Sequence, residues 1–303
     1  MPLIGDMEVN EQNARGESTG LSLLVRAALE EDIGNGDITS LATVPMSVQT
    51  AARVISKGDG VIAGLNTPEA VFGAVDPSTR FTAFVTDGTV VAAGDLVFEV
   101  TGSAHSLLSS ERTALNFLGR LSGIATLTAL FVHEIQGTNA KIIDTRKTTP
   151  GWRMLEKRAV VAGGGANHRI GLYDMALIKE NHIRSAGGIT QAVTACRDYL
   201  DGRRHLREIQ IEVETTSPEE IDEALAVGCD RIMLDNMSTD ELASAVQRVR
   251  RHTPSTEIEA SGNMTVDRVG EVARTGVDFI SVGALTHSAS VLDLSMLFED
   301  ASR

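Results

Sequence analysis

Residues 209–235 read IQIEVETTSPEEIDEALAVGCDRIMLD. A short apolar run ends at Glu214, a helical stretch follows from Pro218 to Val227, and a second apolar run ends at Asp235. A strand, a helix and a strand in that order form a crossover unit whose two strands run parallel. Outward from this stretch the pattern recurs. KIID ends at Asp144 and MALIK at Lys179 on one side, while EIEAS ends at Ser261 and FISVG at Gly283 on the other. Successive strand ends lie 35, 35, 21, 26 and 22 residues apart, with helical stretches at Gly187 to Leu200, Thr239 to Val249 and Val266 to Thr275. This spacing predicts an α/β fold with a parallel sheet or barrel over 137–287.

The first half follows another rule. Residues 1–20 lack apolar periodicity and read as a mobile tail. From Leu21 apolar residues recur at three- and four-residue steps, which predicts an amphipathic helix ending near Gly34. Between Ala51 and Thr101 short β-branched segments alternate with Gly and Asp turns, the pattern of a small antiparallel sheet. A long helix is expected from an N-cap at Ser109, with Arg112 in its first turn, to about Gln136. The expected domains are therefore 21–136 and 137–287.

The 303 residues carry 27 Lys plus Arg against 41 Asp plus Glu, a formal charge of −14 that argues against nucleic acid or an anionic membrane as the main partner. No apolar run reads as a membrane span, and the polar start lacks the basic and apolar regions of a signal peptide, so a cytoplasmic protein is expected. Cys196 and Cys229 have neither a disulfide framework nor zinc spacing and read as core residues.

Each of the six strands stops in polar or glycine residues: DTRKTTPG, IKENH, EVETT, LDNM, ASGNM and VGALTHS. In a βα barrel these ends share the face that carries the active site. From Lys141 to Arg184 nine basic residues stand against four acidic ones, which predicts a polyanionic small-molecule substrate. Arg146 and Arg169 suit carboxylates through paired hydrogen bonds; Lys147 and Lys179 act as point charges. Lys157, Arg158 and Arg184 read better as a solvated face. Glu214 and Asp235 are suited to Mg²⁺, to sugar hydroxyls, or to ion pairs with the neighbouring cations. The glycine-bearing turns Ser261-Gly262-Asn263 and Val282-Gly283-Ala284 suit phosphate. Gly163-Gly164-Gly165 reads as a sharp turn delivering Asn167, His168 and Arg169 to the site. His168 and His182 are each open to a structural reading. The hairpin around Gly94-Asp95 is similar to that of a biotinyl or lipoyl carrier, but the sheet region offers only Lys57, so a carrier is disfavoured.

These motifs, together with EEDIGNGDIT at 30–39 and SSERTALNFLGRLSGIATLT at 109–128, closely resemble the quinolinate phosphoribosyltransferases, also called nicotinate-nucleotide pyrophosphorylases (carboxylating). The resemblance implies an N-terminal α/β sandwich, onto which 288–303 packs back, and an incomplete, TIM-like α/β barrel. It implies a homodimer or higher oligomer in which the partner subunit supplies Arg112. Carboxylate and phosphate contacts then fall on Thr145, Arg146, Lys147, His168, Arg169 and Lys179. The ribose and Mg²⁺ side falls on Glu214 and Asp235, with Mg²⁺ held directly or through water. The phosphate side falls on Ser261, Gly262, Asn263, Val282, Gly283, Ala284 and His287. Lys147, Glu214 and Asp235 are the expected catalytic residues. The implied reaction joins quinolinate to phosphoribosyl pyrophosphate and releases pyrophosphate and CO₂, a step of NAD biosynthesis. Asn263 stands where many relatives have glycine, which keeps open a paralogue acting on another anion; a residue tolerant of left-handed backbone suffices there.

Overall fold

The computed structural model describes residues 20–299, so most of the expected tail lies outside them. The described chain forms two compact units: 20–126 with 150–163 and 289–299, and 127–149 with 164–288.

In the second unit six parallel strands form one barrel-like sheet: β6 (Lys141–Ile143), β7 (Ala176–Ile178), β8 (Ile211–Thr215), β9 (Arg231–Asp235), β10 (Glu257–Ser261) and β11 (Phe279–Ser281). Their order is β6-β11-β10-β9-β8-β7. Helices α6 (Glu180–Ala186) to α10 (Val266–Arg274) follow the strands in turn: α7 (Ile189–Asp201) adjoins α6, and α8 (Pro218–Val227) and α9 (Thr239–His252) follow β8 and β9. Caps make these helices start promptly. The Ser217 side chain accepts from Glu220 N–H, with Pro218 at the first helical position, and Ser238 forms a capping box with Glu241. The strand side chains obey the two-residue alternation: Ile232 and Leu234 face the helices at 0 % exposure, while Met233 and Asp235 face inward.

The first unit holds the antiparallel part. A helix, α1, covers 20–33, and α2 (Ile38–Thr43) is capped by the Asp37 carboxylate. Strands β1 (Gln49–Ser56), β3 (Arg80–Ala83), β5 (Leu96–Ser103) and β12 (Leu294–Phe298) form an antiparallel sheet in the order β12-β1-β5-β3. The C-terminal segment thus closes the sheet edge. Strands β2 (Gly60–Val61) and β4 (Val90–Val91) pair separately. Because β4 pairs with β2 and not with β5, the carrier-like hairpin at Gly94-Asp95 does not form.

Three elements depart from the sequence expectation. Asn66–Val75 is a helix, α3, inside what reads as an all-strand region; its Thr67, Pro68, Val71 and Phe72 are buried, and Phe72 meets Phe98 edge-on at 6.2 Å. The long helix α4 begins at Ala104, not after Ser109, and ends at Glu134. Ser109 is therefore interior, and its hydroxyl donates to Asp37 instead of capping α4. Helix α4 is long and apolar enough to cross a membrane, but most of that apolar stretch is buried within the protein. Gly123 shows how tightly it is covered, since a Cβ there would lie 1.9 Å from the Ser290 carbonyl oxygen.

The third departure is helix α5 (Arg153–Ala162), which lies within 137–287 by position yet belongs to the first unit. Trp152 stacks on Phe117 of α4 at 4.5 Å, and Arg120 pairs with the fully buried Glu156 at 3.2 Å. Lys157, expected on a solvated face, is 1 % exposed because α5 turns it inward beside Glu156; Arg158 and Arg184 are exposed as expected.

Candidate active site

The carboxyl ends of the six strands enclose a cavity of about 1070 Å³ within the second unit. It gathers Thr145, Arg146 and Lys147 after β6, His168 and Arg169 before β7, Lys179 after β7, Glu214 on β8, Asp235 on β9, Ser261, Gly262 and Asn263 around the end of β10, and Gly283, Ala284 and His287 around α11 (Ala284–His287). Three expected residues, Val282, Arg112 and Asn167, are not among its lining. Val282 is 1 % exposed and alternates away from Ser281 and Gly283, and Arg112 lies on α4, exposed, in the first unit. Asn167 is exposed and outside the lining, and His182 serves structure: its Nδ1 accepts the Lys179 N–H at the start of α6. A cavity of about 950 Å³ along α8 and α9 shares Asp235 and Asn236 but has none of the cations from 146 to 179.

The cationic side is built by backbone bonds to loops. Ala166 forms a parallel bridge to Ile143, with its N–H donating to Ile142 at 2.8 Å, so the triglycine turn lays the next residues beside β6. The His168 N–H then donates to the buried Asp144 carboxylate at 2.9 Å. Asp174 accepts the N–H groups of Ile170 and Gly171 and folds the following loop back. The Arg169 guanidinium donates to Met175 carbonyl at 3.0 Å. Burial, then repulsion from Arg146, holds Arg169 below the ordinary guanidinium pKa. Like charges held so close create a site for an anion.

Lys147 is seated by Gly283, where a Cβ would come within 3.0 Å of its Cδ, and by Thr286, whose hydroxyl donates to Lys147 carbonyl at 2.8 Å. Across the cavity, Lys179 Nζ donates to Glu214 at 2.5 Å. Asp235 accepts from Asn236 Nδ2 at 2.6 Å.

The turns after β9 and β10 meet through two asparagines with left-handed backbones, Asn236 at φ 56° and Asn263 at φ 48°. Asn263 thus takes the conformation for which a glycine would serve. Between them Gly262 has φ 95°, and a Cβ there would lie 2.2 Å from Asn236 Oδ1. Behind both turns the Arg268 guanidinium donates to the carbonyls of Gly262 and Met237, at 3.2 and 2.6 Å.

Glu259 on the cavity floor and Glu212 beside it are residues to which the sequence reading gave no role. Glu212 and Glu259 are fully buried, and each places a carboxylate oxygen by His168 Nε2, at 3.1 and 3.2 Å. His168 Nδ1 accepts the Arg169 N–H at 2.7 Å, which requires a lone pair there and makes Nε2 the protonated nitrogen. Burial disfavours a charged ring and the two carboxylates pull the pKa upward, but the Arg169 N–H aimed at Nδ1 leaves no place for a second proton there and keeps the ring neutral. Burial, then repulsion from Glu259, raises Glu212 to about 7. Glu259 is desolvated too, yet hydrogen bonds from His168 and Ser281 bring it below the ordinary value. Asn236 and Glu259 are among the lining residues that sequence reading missed, as are Thr265, Ser281 and the apolar Leu177, Met233 and Met264. Signals for the first two were present, in the LDNM motif and in the alternation that puts Glu259 on the face of Ser261.

Comparison with known proteins places this geometry. Residues 124–297 match the model of the quinolinate phosphoribosyl transferase C-terminal domain, and 37–122 match that of the N-terminal domain. The chain belongs to the quinolinate phosphoribosyl transferase family. A probable nicotinate-nucleotide pyrophosphorylase [carboxylating] of Synechocystis is 45% identical over 268 residues, which cover 88% of this chain and 89% of that protein. The chloroplastic nicotinate-nucleotide pyrophosphorylase [carboxylating] of Arabidopsis thaliana is 42% identical, covering 91% and 82%. The solved nicotinate-nucleotide pyrophosphorylase of Francisella tularensis superposes with a TM-score of 0.87 at 40% identity, covering 93% of this chain and 96% of that one. The antiparallel sheet and barrel-like sheet described above are thus the architecture of this transferase family.

Proposed function

We propose that the chain transfers the phosphoribosyl group of phosphoribosyl pyrophosphate to quinolinate, giving nicotinate mononucleotide, pyrophosphate and CO₂ in NAD biosynthesis. One observation carries the reading: Arg146, Lys147, Arg169 and Lys179 meet Glu214 and Asp235 in one cavity. The guanidinium groups suit the two carboxylates of a pyridine diacid, and the carboxylates opposite suit a sugar diphosphate with its counterion. The ring nitrogen lone pair attacks C1 of the sugar as the bond to pyrophosphate breaks, and the leaving group takes that electron pair. The nitrogen becomes a pyridinium. The bond from C2 to its carboxylate then breaks, leaving its electron pair at C2 beside the positive nitrogen, where a solvent proton replaces CO₂. Attack at an anomeric centre passes through an oxocarbenium-like state, so positioning and charge stabilisation matter more than a protein nucleophile.

Lys147, over the Gly283 turn, is the cation assigned to the reacting phosphate-bearing end. The Ser261–Asn263 and Gly283–Ala284 turns offer it backbone N–H groups. Lys179 and Glu214 neutralise each other before substrate binds, and a substrate carboxylate that draws Lys179 away releases Glu214 for the sugar side. Glu214 and Asp235 offer few protein oxygens, which fits Mg²⁺ shared with substrate phosphates. Bound there, Mg²⁺ supplies charge neutralisation for the departing pyrophosphate.

The reading includes a cytoplasmic homodimer in which the partner subunit's Arg112 completes the carboxylate site. Arg112 is exposed one helical turn beyond Ser109, which is tied to Asp37 at the head of α2, and Ile38 and Leu41 of α2 stand 82 % and 62 % exposed. On the other unit Leu172 and Tyr173, in the loop after Arg169, are over 70 % exposed. Apolar side chains at both places are what a subunit contact would cover.

Incubation with quinolinate, phosphoribosyl pyrophosphate and Mg²⁺ tests the chemistry, with equimolar CO₂ and pyrophosphate expected; release of neither removes the proposal. Mixing Arg112→Ala with Lys147→Ala subunits tests the composite site: partial recovery of activity is expected, and none after verified subunit exchange would exclude it.

A further inference from the structure

The inside of a βα barrel is ordinarily filled by layers of branched apolar side chains. Beneath this cavity the filling is ionic. Glu212 and Glu259 are fully buried and Arg231 is 7 % exposed, from three adjacent strands. Isolated charges at such depth cost several kcal/mol each unless other groups compensate them. A cheaper apolar filling was open to the fold, so the question is what these carboxylates hold.

Their contacts converge on one ring. His168 Nε2 faces both carboxylates, at 3.1 and 3.2 Å, and Arg231 reaches Glu259 at 3.6 Å. The opposite ring nitrogen takes the Arg169 backbone N–H. Carboxylates at Nε2 therefore select the tautomer whose Nδ1 lone pair can receive that N–H. Rotating or re-protonating the ring would remove the bond that seats the Arg169 backbone, leaving the guanidinium bond to Met175 carbonyl to hold the side chain.

We propose that Glu259, together with Glu212, is a positioning residue that acts through His168 to aim Arg169 at a carboxylate of the pyridine substrate. The inference rests on the proposed function for the identity of that substrate. A divalent cation is the competing occupant, because His168, Glu212 and Glu259 bring three ligand atoms within 4.8 Å of one another. Positive charge already at the carboxylates favours the proton-linked clamp over a metal: Arg231 reaches Glu259, and Arg169 is close enough to feel Glu212.

Glu259→Gln keeps the volume and removes the charge. Arg231 is not orphaned by it, since its Nε and Nη2 both donate to Glu257. In the full-length chain, calorimetric titration with quinolinate should show affinity about tenfold weaker in Glu259→Gln, the size expected for one misplaced charged partner. Affinity for phosphoribosyl pyrophosphate should change by less than about twofold, within the scatter of independent sites. In an Arg169→Lys background the same substitution should add less than about twofold, because both changes disable one contact. Imidazole nitrogen NMR of the unmodified protein should show His168 protonated at Nε2 and bare at Nδ1. Unchanged quinolinate affinity in a Glu259→Gln protein with native melting would overturn the proposal. So would equal weakening for both substrates, full additivity with Arg169→Lys, or a stoichiometric metal ion in the purified protein that Glu259→Gln removes. Failure of the unmodified chain to bind quinolinate would overturn the proposed function and this inference together.

Discussion

What packs on the first unit's antiparallel sheet differs in kind from what fills the space inside the second unit's strands, although the first unit also buries Glu156 and Lys157 on α5. In the first, Phe98 is fully buried between Phe72 and Phe81, with ring centroids 6.2 and 4.7 Å away. In the second, the space inside the strands holds His168, Glu212, Glu259 and Arg231. An apolar interior gains free energy wherever area leaves water, without regard to direction. An ionic interior is stable only when each charge meets its partner, so it is costly and specific in orientation. The contrast shows where each unit spends its order: one on cohesion, the other on aiming side chains into a cavity.

Substitutions can break that contrast. The largest effect expected is on the apolar side. Phe98→Ala should destabilise the first unit by about 3–5 kcal/mol, read by urea unfolding, and loss confined to turnover would contradict it. Arg169→Ala should do the reverse, costing about 2–4 kcal/mol of quinolinate binding through loss of a charged pairing, with melting little changed. Arg268→Met tests the region between these extremes, because it removes donors from two cavity turns at once. About 1–3 kcal/mol of stability should go, and KM for phosphoribosyl pyrophosphate should rise more than KM for quinolinate.

A fourth expectation uses pH. Glu212 keeps its proton up to about pH 7 in the fold, against 4.5 when free. Between those values the folded chain holds more protons than the unfolded one, so stability should fall as pH rises through this window. Glu212→Gln should flatten that slope in denaturation series at pH 5, 6 and 7; an unaltered slope would locate the protonation elsewhere. The smallest effect expected is at Asn263. Replacement by Gly should shift stability by less than about 1 kcal/mol, whereas Ala, with no side-chain amide to support a left-handed backbone, should cost about 1–2 kcal/mol.

Much of the site was legible before any coordinates. The six strand ends, the cations from Arg146 to Lys179 and the carboxylates Glu214 and Asp235 follow from apolar runs that stop in polar residues. Helix α3 was less legible, since NTPEAVFGAV is short and sits among strands, and its helical stripe is decided by burial against Phe98. Lys157 misled because charge in a helix ordinarily marks its wet face, whereas α5 packs on α4 and turns that lysine inward.

What the chain dictates alone is whatever depends on near neighbours. Alternation along a strand fixes which residues share a face, and the spacing of strand ends fixes a parallel order. The tertiary structure decided the rest. It made Glu214 a wall of the cavity and left its same-face neighbour Glu212 fully buried outside the lining. It also moved residues 150–163 into the other unit and brought Glu212 and Glu259 to the ring of His168. Depth and partnership depend on residues far apart in sequence, and no local period carries that information.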